Sequence, residues 1–70
     1  MERLDLHGKR HESVETEVIN FIFKHPPPFE IVTGNSKRMR ELVEQIINKH
    51  GLRCHPKGWT NQGCFVVTSL

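Results

Sequence analysis

The chain has 70 residues and a mass of 8.2 kDa, which is enough for one small domain, residues 1–70, and too little for separate catalytic and substrate domains. Apolar side chains make up 36% of the sequence, so we expect a thin core between two layers. The net charge of +2 and the pI of about 8.8 are mild. An anion-binding site therefore has to come from local clustering of basic residues.

The chain carries no signal for a membrane. No stretch has the run of ~18 apolar residues that a membrane span needs, and the start lacks the basic-then-apolar order of a signal peptide. The sequence therefore predicts a soluble, cytoplasmic protein with no membrane partner. The two cysteines are too few for a disulfide framework, so in this setting we expect both to be free thiols, Cys54 and Cys64.

The first half of the chain has the pattern of a strand, a helix and a second strand. Leucines alternate with polar residues over 3–7, which predicts a half-buried strand that ends at Gly8. Helical spacing then predicts a helix over about 11–24, with an apolar stripe of Val14, Val18, Phe21 and Ile22. Prolines at 26–28 cannot continue this helix, and the segment 29–33, rich in β-branched residues, predicts the second strand.

The second helix has the clearest periodic signal in the sequence. Apolar side chains recur at i, i+3, i+4, i+7 and i+8, namely Met39, Leu42, Val43, Ile46 and Ile47. Ser36 is the expected N-cap, and Gly51 follows the expected C-terminus. The pattern predicts a helix between these two residues.

The last third of the chain has the pattern of a hairpin. Residues 52–55 alternate weakly and are expected to stop at Pro56, whereas 64–68 form a stronger β-run, with a longish loop at 58–63. The element order is then β-α-β-α-β-β. Right-handed crossovers place both helices on one face, so we expect an α/β two-layer sandwich with a four-stranded mixed sheet and a partly open second face.

Two loops should meet at one edge of this sheet, because the first two strands are parallel and end there. This is the edge at which open α/β sheets bind ligands. Half of the ten basic residues lie on or just past the loops at 7–10 and 33–38. Free N–H groups at the start of helix two favour a phosphate there. The candidate nucleic-acid-binding residues are therefore Gly8, Lys9, Arg10, Thr33, Gly34, Asn35, Ser36, Lys37, Arg38 and Arg40.

Each feature of this edge also has a plainer interpretation. Taken alone, residues 33–36 are a turn and an N-cap, and the cations of 37–40 are a solvated helix face. Cations at a helix N-terminus, however, oppose the helix dipole by ~0.3–1 kcal/mol each. Their placement therefore favours a bound anion.

Asp5 and His7 are the candidate catalytic residues. On a strand they would share one face, ~6.6 Å apart, which is close enough for both to act around one phosphodiester. An imidazole can transfer protons at neutral pH, and Asp5 could orient it or hold a divalent ion such as Mg²⁺ or Mn²⁺. The alternative is that Asp5 orders the loop by accepting backbone N–H groups, while His7 is a surface side chain.

The remaining polar residues give weaker signals. No zinc site is expected, because the C-x2-C pair of a zinc knuckle is missing from the set His50, Cys54, His55 and Cys64. Alternation also places Cys54 and His55 on opposite strand faces, so the two could not easily share one ion. We expect both cysteines to be small core residues on paired strands. Trp59 either stacks on a base or covers one end of the core.

The stretch L-D-L-H-G at 4–8, then a helix, a strand ending in Thr33-Gly34 and a basic helix start, resembles the small MutS-related (Smr) domain family over nearly the whole chain. This family has the βαβαββ two-layer fold also seen in the C-terminal domain of translation initiation factor three. Its members include DNA-nicking and RNA-cleaving endonucleases. The resemblance implies nuclease chemistry or nucleic-acid binding, and it places Asp5 and His7 at the positions of the family's proposed catalytic pair.

The second family motif is altered in this chain. Ser36 stands where the pattern T-G-x-G has its second glycine, and the glycine-containing insert before helix two is shortened to 37–40. In this respect the chain resembles the short single-domain versions found in bacterial viruses.

We therefore expect an Smr-like domain that binds nucleic acid and acts as an endonuclease, a phosphodiester hydrolase on RNA or DNA. RNA or single-stranded regions are favoured, because no helix has the polar face of a recognition helix. The alternatives are a non-catalytic module that docks on structured RNA or a ribonucleoprotein, and a regulatory protein that acts through protein contacts on the open sheet face. The sequence leaves the oligomeric state open.

Overall fold

Two helices and four strands follow one another in the order that the sequence predicts. The computed structural model describes residues 1–58 and 61–69. The elements are β1 (Glu2–Asp5), α1 (His11–Lys24), β2 (Phe29–Val32), α2 (Lys37–Lys49), β3 (Leu52–Gly58) and β4 (Asn61–Ser69). The predicted α/β class and the predicted ranges of both helices are confirmed.

The four strands form one mixed sheet in the spatial order β1-β2-β4-β3. β1 and β2 are parallel, whereas β4 is antiparallel to both β2 and β3. Three strands therefore point the same way and end at one side of the sheet, at Asp5, Val32 and Gly58. We call this side the carboxyl edge.

The core lies between the helices and one face of the sheet. Alternate residues of the two central strands join the apolar stripes of the helices in one buried cluster, which includes Phe29, Ile31, Phe65 and Val67 from the strands. From α1 come Val14 and Val18, and from α2 come Met39, Val43, Ile46 and Ile47. Neither of the two helices in the described part of the chain is long and apolar enough to cross a bilayer.

The first strand ends two residues earlier than predicted. Leu6 is fully buried and its N–H still donates to the Val32 carbonyl at 2.8 Å, but the following two residues form a turn. The cause is local, because the Asp5 carboxylate accepts the backbone N–H of His7 at 2.9 Å and draws the chain out of the strand. The prediction that Asp5 and His7 share one strand face is therefore wrong.

The hairpin is longer than predicted. β3 continues through Pro56, and Gly58 pairs with Asn61, so the expected loop at 58–63 is mostly strand. Pro56 is tolerated because β3 is an edge strand and because the register shifts between Pro56 and Gly58. Trp59, expected to stack on a base or to cover the core, lies outside the described residues.

The sheet face opposite the helices, which we call the open face, holds one buried carboxylate. The Glu30 side chain is 9% exposed and lies between Arg3 of β1, at 2.9 Å, and Lys57 of β3, at 3.1 Å. Hydrogen bonds from Lys57 and Arg3 lower the pKa of the Glu30 carboxyl from its ordinary value of 4.5. The two ion pairs tie both edge strands to the centre of the sheet.

This ion-pair network gives the fold an acid-sensitive element. Because the pKa of Glu30 is lower in the folded chain, its ionised form stabilises the fold above the ordinary value of 4.5, and this stabilisation is lost as the pH falls through the lowered pKa. We expect Glu30→Gln to lower the free energy of unfolding at neutral pH. The difference from wild type should shrink in acid, as measured by urea denaturation between about pH 7 and pH 3.

Glu41→Gln is the matched control, since Glu41 is an exposed carboxylate of α2 with no ion pair among the described residues. A difference for Glu30→Gln that stays constant down to the lowest pH would contradict this role of Glu30.

Candidate nucleic-acid interface

The loops after β1 and β2 are in contact at the carboxyl edge. A methyl group placed on Gly34 would lie 3.5 Å from Cδ2 of His7, so the imidazole lies close beside this glycine. Both loops turn at a glycine with positive φ, +78° at Gly8 and +70° at Gly34. The parallel pairing of the two strands thus brings together the loops that hold the candidate residues.

The first loop is ordered by its own backbone and by Asp5. The Asp5 carboxylate accepts the N–H of His7, and the N–H of Lys9 donates to the Leu6 carbonyl at 3.0 Å. His7 itself is exposed. Asp5 therefore has the loop-ordering contact that the sequence left open as an alternative to a catalytic one, and the His7 imidazole lies at the surface beside Gly34.

The second loop is held by the start of β4. The N–H groups of Thr33 and Gly34 both donate to the carbonyl of Gly63, at 2.8 and 3.1 Å, and the Thr33 hydroxyl lies 3.3 Å from the same oxygen. Thr33 is 2% exposed. These two N–H groups are occupied within the fold, so a phosphate at this edge would have to use other donors.

Those donors lie at the start of α2. The predicted N-cap is confirmed, because the Ser36 hydroxyl accepts the N–H of Met39 at 3.1 Å. Within the described residues, no hydrogen bond engages the four preceding N–H groups, those of Asn35, Ser36, Lys37 and Arg38. All four residues are exposed. The beginning of α2 therefore presents donors that no group in the described part of the chain engages, and the helix dipole favours an anion there.

The basic residues of the two loops differ in their partners. Lys9 lies 3.5 Å from Glu17, and Arg10 lies 3.4 Å from Glu12, so both cations of the first loop are paired with carboxylates of α1. Among the described residues no ion pair is made by the cations of the first turn of α2, Lys37, Arg38 and Arg40. The uncompensated positive charge of this edge thus lies on α2.

Gly63 belongs to this site although its local sequence predicts only a hairpin loop. A methyl group at Gly63 would lie 3.1 Å from the Gly34 carbonyl oxygen, so this close approach of β4 to the loop favours a residue without a side chain. The signal available in the sequence is a glycine directly before a β-branched run. A glycine there is typical of a close backbone approach, but the pattern does not say to what.

The cysteines and histidines do not converge. Cys54 packs against the core. Cys64 is buried, but it is the cross-strand neighbour of Val32, and both side chains lie on the open face of the sheet. Burial raises the pKa of the Cys54 thiol to about 11, with a further contribution from Glu44, and burial also raises the pKa of Cys64. In the described ranges, no three side chains of the metal-binding types His, Cys, Asp and Glu lie close enough to hold an ion.

Comparison of this chain with models of known families, with curated proteins and with solved structures finds no match.

Gly34 should be sensitive to any side chain. An alanine there would hold a positive φ, which costs ~1–2 kcal/mol for an L-residue, while its methyl group would make ordinary van der Waals contact with the His7 ring. We expect Gly34→Ala to lower the free energy of unfolding by about that amount in urea denaturation.

Gly58→Ala is the control, since Gly58 has no positive φ and a methyl group there meets no atom of the described residues within 4 Å. If both variants unfolded at the same urea concentration, the loop geometry described above would be incorrect.

Proposed function

We propose that this chain binds the sugar–phosphate backbone of a nucleic acid at the carboxyl edge, through the start of α2. The observation that carries the proposal is the combination of unpaired N–H groups over 35–38 with three cations that make no ion pair among the described residues. Backbone donors at a helix start and cations that can release counterions are the two features with which proteins bind phosphates. The resemblance to the Smr family supports the same assignment.

The charges along α2 favour single strands, loops or ends over a duplex. Beyond its first turn the helix carries the exposed carboxylates Glu41 and Glu44. A duplex laid along the helix would bring its phosphates close to both carboxylates, whereas a strand that touches only the helix start would avoid them. We infer that the ligand is RNA or single-stranded DNA, contacted without base readout.

Removal of the α2 cations should weaken binding. We expect Lys37→Ala and Arg38→Ala each to reduce affinity for labelled single-stranded RNA and DNA in fluorescence anisotropy. The salt slope is the steepness with which the logarithm of the binding constant falls with the logarithm of the salt concentration. Each change should lower it by about 0.7–0.9 for every phosphate that the variant no longer neutralises. Lys9→Ala should have a smaller effect, because Lys9 is already paired with Glu17.

Lys24→Ala is the matched control, since Lys24 is an exposed cation in the last turn of α1, at the end of the domain away from the carboxyl edge. Salt slopes that are the same for all these variants and the wild-type protein would remove this site from consideration.

Phosphodiester cleavage is a second candidate function, favoured by one observation. The exposed His7 imidazole lies beside Gly34, near the start of α2, where a bound phosphate would come within reach of a general acid or base. Asp5 would then be a positioning residue, because its carboxylate fixes the backbone of His7.

A divalent ion would find few ligands from the protein here. Asp5 offers one carboxylate, and no group of three metal-binding side chains exists within the described residues. The described residues do not form a site for Mg²⁺ or Mn²⁺ by themselves, so the cleavage proposal assigns no step to a metal.

The cleavage proposal is tested by incubation of labelled RNA and DNA with the purified protein, with and without Mg²⁺ or Mn²⁺. If His7 transfers a proton, His7→Ala should lose ~10²–10⁴ in rate and keep its affinity. His11→Ala is the control, since His11 is an exposed histidine at the start of α1. If the wild-type protein cleaves neither substrate but binds both, the chain is a non-catalytic nucleic-acid-binding module.

A further inference from the structure

The open face of the sheet carries a row of basic side chains along β3. Arg53, His55 and Lys57 alternate with residues of the core side, where Cys54 packs. Arg53 and His55 are exposed, and the Lys57 side chain is 43% exposed although it reaches Glu30. Successive members of the row are ~6.8 Å apart along an antiparallel strand, a spacing similar to that of neighbouring phosphates in an extended nucleic-acid strand.

Positive charge is in excess on this face. Arg3, at the opposite edge of the sheet, and Lys57 share the carboxylate of Glu30, whereas Arg53 makes no ion pair among the described residues. Among the described residues, Asp5 is the other acidic residue on this side, but it lies at the end of β1 and its carboxylate accepts the N–H of His7. A polyanion is therefore the complementary ligand for the β3 side of the face.

The row begins at the carboxyl edge. β3 ends there at Gly58, on the same side of the sheet as the loops of His7 and Gly34, so Lys57 lies nearest that edge and Arg53 farthest from it. Phe23, a large exposed apolar side chain, lies on α1 and therefore outside this face. Among the described residues, the part-exposed apolar side chains at the centre of the open face are the valines Val32 and Val66, a smaller apolar area than a protein partner usually buries.

We propose that a single nucleic-acid strand held at the carboxyl edge continues across the open face along β3, with Lys57 and Arg53 contacting phosphates two apart and His55 lying beside the phosphate between them. The proposal rests on the proposed function and extends it, because it assigns a second contact surface to the bound strand and a path from the carboxyl edge along β3. It also sets a length requirement. A short oligonucleotide fills only the start of α2, whereas a longer one reaches Arg53.

The test compares two labelled single-stranded RNAs, of about four and about fifteen nucleotides, which bracket the usual site size of a small single-strand-binding domain. Arg53→Ala should weaken binding of the longer RNA several-fold and lower its salt slope by about 0.7, because one phosphate is no longer neutralised. The same variant should bind the short RNA like wild type. Arg53→Lys, which keeps the charge, should restore most of the affinity for the longer RNA.

Lys24→Ala on α1 is the control for a general loss of charge, and Lys37→Ala reports on the carboxyl edge. Lys57 is left unchanged, because its removal would break the ion pair with Glu30. Arg53 is exposed and makes no ion pair among the described residues, and an unchanged thermal unfolding curve for Arg53→Ala would confirm that the fold is intact.

The outcomes separate the two proposals. If Lys37→Ala weakens the binding of both RNAs and Arg53→Ala binds them as Lys24→Ala does, the path along β3 is overturned and the site at the carboxyl edge stands. If Arg53→Ala weakens the binding of the short and the long RNA equally, or if Lys37→Ala weakens the binding of neither, the continuous path is overturned. Displacement of the longer RNA by polyglutamate as effectively as by unlabelled RNA would overturn the assignment to nucleic acid. Absence of binding by the wild-type protein would overturn both proposals.

Discussion

The parallel pairing of β1 with β2 is the constraint on which the rest of the structure depends. It spans only four residue pairs, from Glu2 with Phe29 to Asp5 with Val32, yet it brings together two loops that are distant in sequence. Such a short ladder needs support from outside the backbone. The buried Leu6 follows directly after the last pair and fixes the end of the pairing at the carboxyl edge. The ion pair between Arg3 and Glu30 joins the two strands on the open face. Without this pairing, His7 and Gly34 would not be neighbours.

The sequence predicts α2 well because its signals are local and agree with one another. The apolar stripe, the Ser36 cap and the positive φ of Gly51 all act within a few residues of the helix. The end of β1 could not be predicted in this way. Alternation of leucines with polar residues continues to His7, but one hydrogen bond from its backbone to the Asp5 carboxylate decides where the strand stops.

The position of a strand in the sheet explains the other differences between the predicted and the observed structure. A proline such as Pro56 interrupts a strand in the centre of a sheet but is tolerated in an edge strand. The local sequence does not indicate that β3 is an edge strand, so it predicts that the strand stops at this residue. The candidate site shows the same limit. The number of cations along the chain does not reveal that Lys9 and Arg10 are paired with carboxylates of α1, whereas the cations in the first turn of α2 make no ion pair within the described part of the chain. Nor can it reveal that Gly63 occupies two of the expected backbone donors.

The triple role of the Gly63 carbonyl links the interface to the hairpin. Two amides and one hydroxyl of the segment 33–34 converge on this oxygen, which belongs to the first residues of β4. The loop at the carboxyl edge therefore cannot detach from the sheet unless β4 moves as well. In hydrogen exchange the amides of Thr33 and Gly34, although they follow a strand and precede a helix, should open together with the β3–β4 hairpin. The interface and the hairpin thus form one cooperative unit.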